Sequence, residues 1–204
     1  MSRADTLDRL NAADLRSACA DQRIGNRVEV LGEATSTNDV VLKMAAENDE
    51  GLVIFAERQT AGRGQYGNHW ESAAGKGLWF SILLRPKIPP AEASRLTAWA
   101  GETVALTINE QLSLGATVKP PNDVYVAERK VAGILLELRV VANSPNLGIL
   151  GIGINVNQNL KDFSEELSLK AGSLTMAGGT PVNRQKLAVA LLQNLDRTYR
   201  VFLS

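Results

Sequence analysis

Four β-prone runs fall between Thr117 and Ile154: Thr117–Lys119, Asp123–Val126, Val131–Leu138 and Leu147–Ile154. Parallel strands need a crossover of about a dozen residues or more, and the spacers here are too short for one. Hairpin pairing is therefore expected over this stretch. Upstream, Arg27–Leu31, Leu52–Ala56 and Leu78–Leu84 read as further strands, rich in β-branched and aromatic residues. Helices are expected at four places. Ala4 to Ala20 carries Leu7, Leu10, Leu15 and Ala18 on one side, and Asn38 to Asn48 follows a cluster of N-cap residue types at Ser36, Thr37 and Asn38. Pro89 and Pro90 open a longer helix from Ala91 to Leu112, and Arg184 to Phe202 spaces Leu187, Leu191, Leu195 and Tyr199 by four. The expected class is α+β: a mixed, mostly antiparallel sheet backed by helices. With no repeat, low-complexity segment or linker in 204 residues, residues 1–204 read as one domain.

Composition narrows the function. Twenty-two basic residues balance 22 acidic ones, so nothing draws the whole chain to nucleic acid or an anionic membrane, although a local basic site stays open. Cys19 is the sole cysteine and His69 the sole histidine, which excludes a His/Cys metal site; magnesium held by carboxylates stays open. The first twenty residues carry acids and no apolar h-region, and the longest apolar stretches, such as Val131 to Leu136, are too short to span a bilayer. A soluble cytoplasmic protein is expected.

Four segments carry chemistry. Gln59-Thr60-Ala61-Gly62-Arg63-Gly64-Gln65-Tyr66-Gly67-Asn68-His69-Trp70 matches G-x-G-x-x-G in form. That fingerprint needs a helix starting at the glycines, and Asn68 to Gly77 starts none. No G-x-x-x-x-G-K-[ST] occurs either. A glycine-rich loop between strands still binds anions through inward N–H groups, with Arg63 as a fixed fork, or is simply a hairpin loop with its arginine in water. Glu33 to Asp39 places two hydroxyls and an amide at a strand-to-helix turn, as ligand contacts or as helix caps. In the third segment, Lys119-Pro120-Pro121-Asn122-Asp123 gives a rigid extended approach to a turn, and a hairpin returns Lys130 beside it. Lys130 there is an exposed strand end or a point charge aimed at a phosphate or carboxylate. In the fourth, Gly151 and Gly153 interrupt a β-rich run before Asn155, as they would where a ligand or another backbone packs closely.

Taken together, Ser36-Thr37-Asn38, Gln59 with Gly62-Arg63-Gly64-x-x-Gly67-x-x-Trp70, Pro121-Asn122-Asp123, Lys130-x-x-Gly133-Ile134-Leu135 and Gly151-x-Gly153-x-Asn155 resemble the catalytic domain of biotin protein ligases in order and spacing. The resemblance covers about residues 30 to 157. It implies a biotin/lipoate ligase-like fold, biotin and ATP as substrates with magnesium, and a lysine of a biotin carboxyl carrier domain of a biotin-dependent carboxylase as acceptor. Biotin contacts fall to Ser36, Thr37, Asn38, Gln59, Arg63, Gly64, Gln65, Lys130 and Gly133. Nucleotide contacts fall to Trp70, Lys119, Asn122, Asp123 and Asn155, with Asp123 also nearest the magnesium. Lys130 and Arg63 would be catalytic: Lys130 between the biotin carboxylate and the α-phosphate, Arg63 as a charge or a loop-fixing contact. The loop from Gly62 to Trp70 would close over the ligands.

The chain departs from the commonest pattern of that family. Gln65 and Asn68 stand where arginines are frequent, removing two positive charges, which would weaken adenylate retention or shift the phosphate work to Lys119 and Lys130. Pro120 replaces a tryptophan. No room for a DNA-binding domain precedes Ser36, so no DNA partner is expected; the small β domain usual after the catalytic one is not in these residues, so either a minimal form or a longer chain is expected. A homodimer is compatible with the resemblance. Lipoate or octanoate ligase activity, and a non-catalytic biotin- or adenylate-binding module, are the competing readings.

Overall fold

The run Gly77–Leu84, apolar apart from Ser81, is buried at every position. A strand hidden on both faces belongs in the middle of a covered sheet, and that is its place in the computed structural model, which describes residues 8–140 and 146–203. The strands are β1 (Arg27–Leu31), β2 (Leu52–Ala56), β3 (Gly77–Leu84), β4 (Thr117–Lys119), β5 (Asp123–Val126), β6 (Arg129–Arg139) and β7 (Leu147–Asn155). The helices are α1 (Ala12–Ala18), α2 (Thr37–Met44), α3 (Ala93–Leu112), α4 (Glu165–Ser168), α5 (Leu174–Gly178) and α6 (Arg184–Phe202).

Among the described residues the strands form one sheet in the order β1-β2-β3-β7-β6-β5-β4. Only β1 and β2 are parallel, with α2 in the connection between them; every other pairing is antiparallel. The mixed, mostly antiparallel sheet expected from the sequence is thus present.

Alternation along the strands sorts side chains onto two faces. Val53, Phe55, Phe80, Ile82, Leu150 and Ile152 join one core with α3 and α6 (Leu96, Val104, Leu187, Leu191, Leu195). Each aliphatic side chain buried in this way contributes about 1.5–3 kcal/mol. Leu52, Ile54, Leu83 and Ile149 meet Val41 and Ala45 beneath α2 on the opposite face. Because α2 is short, it covers β2 and β3 but leaves β6 and the end of β7 open, and the functional cavity forms there.

The N-terminal helix is shorter than expected. It runs Ala12–Ala18, capped by Asn11, whose Oδ1 accepts from Ala13 and Asp14 N–H. Residues 4–7 lie outside the described residues. Asp8 to Leu10 are drawn away from helix by long-range bonds: Leu10 N–H donates to Glu57 Oε1 (2.8 Å), and Arg184 Nε donates to Asp8 Oδ2 (3.0 Å). Arg184 is buried, and it also bonds Glu57 and the Gly77 carbonyl, so one guanidinium fastens α6, the end of β2 and the start of β3.

Candidate active site

β1 and β2 continue past their ends as a parallel pair of turns. Thr60 N–H donates to Ala34 O and Ala61 N–H to Thr35 O, which sets Gln59 against the start of α2. Gln59 Oε1 accepts from Thr37 N–H at 2.8 Å, acting as the helix cap in place of a serine hydroxyl. Ser36 is therefore the N-cap residue by backbone position yet makes no side-chain capping bond, and its side chain borders the cavity. Capping and ligand binding, both open from the sequence, are divided between different residues.

The glycine-rich segment folds into a small hairpin of its own. Trp70 N–H donates to Gly62 O (2.9 Å) and Gly64 N–H to Asn68 O (2.7 Å), and the turn at its tip holds Tyr66 at φ 59°. No α-helix starts at the glycines, as expected. The Arg63 guanidinium binds Asp39 through two bonds, 2.9 and 2.7 Å, and approaches Glu137 at 3.3 Å. These contacts tie the hairpin to α2 and β6, and Arg63 also borders the cavity. Those bonds hold the Asp39 carboxyl below the usual carboxylate range. A group with a depressed folded pKa contributes its stabilisation above the ordinary value and loses it as pH falls through the lowered one. Protection of the hairpin from proteolysis should therefore stay constant from about pH 8 to 5 and fall only below about pH 4.

The glycines of β6 and β7 have a visible purpose. Gly133 and Gly153 are cross-strand partners, and the Trp70 indole lies directly on them. A Cβ on Gly153 would sit 2.6 Å from the indole ring, and one on Gly133 2.7 Å. Gly151 likewise makes way for Asn38, whose Oδ1 would be 2.4 Å from an added Cβ. The close packing expected there comes from this chain's own side chains.

At the far side of Trp70, Lys130 Nζ lies 5.4 Å from the indole centroid and 2.6 Å from Asp123 Oδ1, an ion pair rather than an aligned hydrogen bond. The Lys130 backbone is held by Lys170 O and Gly172 N–H. Asn122 donates to Ile134 O at 2.9 Å, stitching the turn before β5 onto β6, and Asn155 Oδ1 accepts from Gln158 Nε2 at 3.0 Å.

One cavity of about 640 Å³ brings these groups together. Ser36, Thr37, Asn38, Gln59, Arg63, Gly64, Gln65, Trp70, Asn122, Asp123, Lys130, Gly133 and Asn155 all border it. Lys119 is not among the lining residues: its ammonium lies 5.0 Å from the ring centroid of Tyr125, which does border the cavity. Sequence reasoning also missed part of the site. The segment Phe163 to Ala171 forms a wall of the cavity, fastened by Ser164 N–H donating to Glu71 (3.0 Å). Glu137 and Ser81 were missed as partners of the motif residues. The lone polar residue in the apolar run of β3 was the available signal for Ser81.

α3 and α6 back the mixed sheet, and the glycine-rich hairpin, the polar corner and a lysine share one cavity. Residues 31–155 match the Biotin/lipoate A/B protein ligase family, and the chain belongs to it. It is 35% identical over 190 residues to the bifunctional ligase/repressor BirA of Bacillus subtilis, covering 89% of this chain and 58% of that protein. It is 30% identical over 203 residues to the biotin–[acetyl-CoA-carboxylase] ligase of Mycobacterium tuberculosis, covering 93% and 72%. The solved biotin protein ligase from Aquifex aeolicus in complex with biotin and ATP superposes with a TM-score of 0.76 at 32% identity, over 87% of this chain and 72% of that one. The chain thus spans little more than half the length of the Bacillus relative.

Proposed function

We propose that this chain joins biotin to AMP at the expense of ATP and then passes the biotinyl group to a lysine of a biotin carboxyl carrier domain. The observation that carries this reading is that one cavity is bordered both by uncharged hydrogen-bonding side chains at Ser36, Thr37 and Gln59 and by Lys130. A ureido ring offers one carbonyl acceptor and two N–H donors, which suits hydroxyl and amide partners. The acid's tail runs along the sheet past Trp70 and places its carboxylate near Lys130.

In the first step a carboxylate oxygen bonds to the α-phosphorus and the bond to pyrophosphate breaks. Lys130 offsets the negative charge that gathers between the two anions. In the second step the acceptor amine attacks the acyl carbon, AMP leaves, and the amine gives up a proton. No enzyme nucleophile is required. Trp70 and Asn155, which border the same cavity, would meet the base. The hairpin fastened by Arg63 shields the mixed anhydride from water.

Among the described residues no group of three or more His, Cys, Asp or Glu side chains is arranged to hold a metal. One carboxylate suffices for magnesium carried by a triphosphate, and Asp123 is the residue that would hold it. The ion would supply charge neutralisation on the phosphates.

Thr37→Val should weaken biotin binding by about tenfold, the worth of one buried hydrogen bond, and leave ATP binding within twofold. Calorimetry with each ligand separately checks this, and equal losses would remove Thr37 from the biotin site. Transfer is tested by incubation with a biotin carboxyl carrier domain, biotin and ATP. A single biotinyl group on one lysine, seen by mass spectrometry, is the expected product. An unmodified carrier beside accumulated adenylate would limit this chain to the first step.

A further inference from the structure

Below the polar corner a chain of hydrogen bonds runs into the sheet, and its direction can be worked out. Glu137 lies in β6, and its carboxylate only accepts. Asn38 Nδ2 donates to Glu137 Oε2 at 2.7 Å, so the Asn38 amide can have only one orientation, with Oδ1 turned toward β3. Ser81 Oγ is fully buried and lies 2.5 Å from that Oδ1. An amide oxygen cannot donate, so the single Ser81 proton goes to Asn38. Thr37 Oγ1 is 2.7 Å from Ser81 Oγ, and the proton in that contact must then come from Thr37. Gln59 Oε1, 3.1 Å away and already accepting from Thr37 N–H, supplies no proton either and is a second, longer-range acceptor for the Thr37 hydroxyl. The Thr37 hydroxyl is left with lone pairs alone to offer the cavity.

We infer that Ser81, Asn38 and Glu137 are positioning residues that fix Thr37 as a pure acceptor, so that the corner selects a ligand presenting an N–H at that point. None of the three needs to touch the ligand through its relay atoms. Arg63, bonded to both Glu137 and Asp39, couples the charged end of the relay to the glycine-rich hairpin. The inference rests on the biotin reading, in which a ureido N–H meets Thr37, and it adds the reason why that hydroxyl prefers a donor.

The test compares biotin with a cyclic carbamate analogue whose ureido N–H is replaced by a ring oxygen, using calorimetry on the full chain. The wild-type protein is expected to bind biotin at least tenfold more tightly than the carbamate. In Ser81→Ala the Thr37 proton loses its 2.7 Å acceptor and keeps only the 3.1 Å contact with Gln59, from which it can turn toward the analogue's oxygen, so discrimination should fall by at least about threefold while the ATP dissociation constant stays put. Glu137 is only partly buried. Glu137→Gln serves as the second variant: its amide removes the fixed orientation of Asn38, and discrimination should fall in the same direction. If both ligands weaken equally in both variants, with discrimination retained, the relay is merely structural and the inference is overturned; unchanged affinities overturn it equally. A wild-type protein that binds no biotin overturns the parent reading instead, a result visible before any variant is made.

Discussion

Replacing Lys130 with alanine is expected to slow acyl-adenylate formation by about 10²–10³-fold, the usual cost of removing one preorganised charge or donor from a reacting centre. The geometry makes a smaller loss hard to sustain. Lys130 is ion-paired with Asp123 and backed by the Trp70 ring, whereas Lys170, which also borders the cavity, is 73% exposed and lies near Glu166. Arg63 is occupied by Asp39 and Glu137, and Lys119 lies over Tyr125 outside the lining. Gln65 and Asn68, on the hairpin, carry no charge to replace it. Single-turnover formation of the adenylate at saturating biotin and ATP reads the chemical step directly. A variant that stays within a few-fold of wild type would show that Lys130 does not stabilise the transferring phosphoryl group.

The second large effect is on stability. Arg184→Ala should cost about 3–5 kcal/mol, because removing the buried guanidinium strips the largely buried Glu57 carboxylate of its counter-charge. Its side chain is 2% exposed, and it contacts Asp8, Glu57 (2.8 Å) and the Gly77 carbonyl (3.1 Å). For a domain of this size each kcal/mol moves the melting temperature by about 2–4 °C, so a fall of about 6–20 °C is expected in thermal unfolding followed by circular dichroism. A shift under about 3 °C would mean that water reaches Asp8 and Glu57 freely once the arginine is gone. Glu57 lies on the same chain segment as Gln59, so part of the loss should appear as weaker biotin binding even well below the melting temperature.

The sequence was most informative where local pattern and final environment agree. α6 begins and ends where its four-residue spacing of Leu187, Leu191, Leu195 and Tyr199 predicts, because those side chains form the face buried against the sheet and α3. β4 and β5 also fall where expected, since short spacers leave hairpins as their only pairing. The first helix was overextended because the leucine spacing continues upstream of Asn11, while Glu57 and Arg184 capture Asp8 to Leu10 from far along the chain. Phe163 to Ala171 shows no strong period at all. Its path is set by backbone bonds to Lys130 and by Glu71, none of which has a local signature.

The same division runs through the site. Ser36, Thr37, Gln59, Asp123 and Lys130 were legible because the motif order places them together, and the cavity does bring them together. What they do to one another was not. That Arg63 answers Asp39 and Glu137, and that Thr37 is steered by Ser81, depends on contacts across separations of 24, 74 and 44 residues. Lys119, adjacent to the motif in sequence, lies in β4 over the ring of Tyr125, and Tyr125 is the one of the two that borders the cavity.

The most direct test of the central claim is acyl-adenylate formation. Purified protein is incubated with ATP and magnesium and with biotin, lipoate or octanoate in separate tubes, and the products are read by mass spectrometry. Biotinyl-adenylate in the biotin tube alone is the predicted result. An adenylate of lipoate or octanoate in preference to biotin, or no adenylate where biotin is bound, would contradict the account.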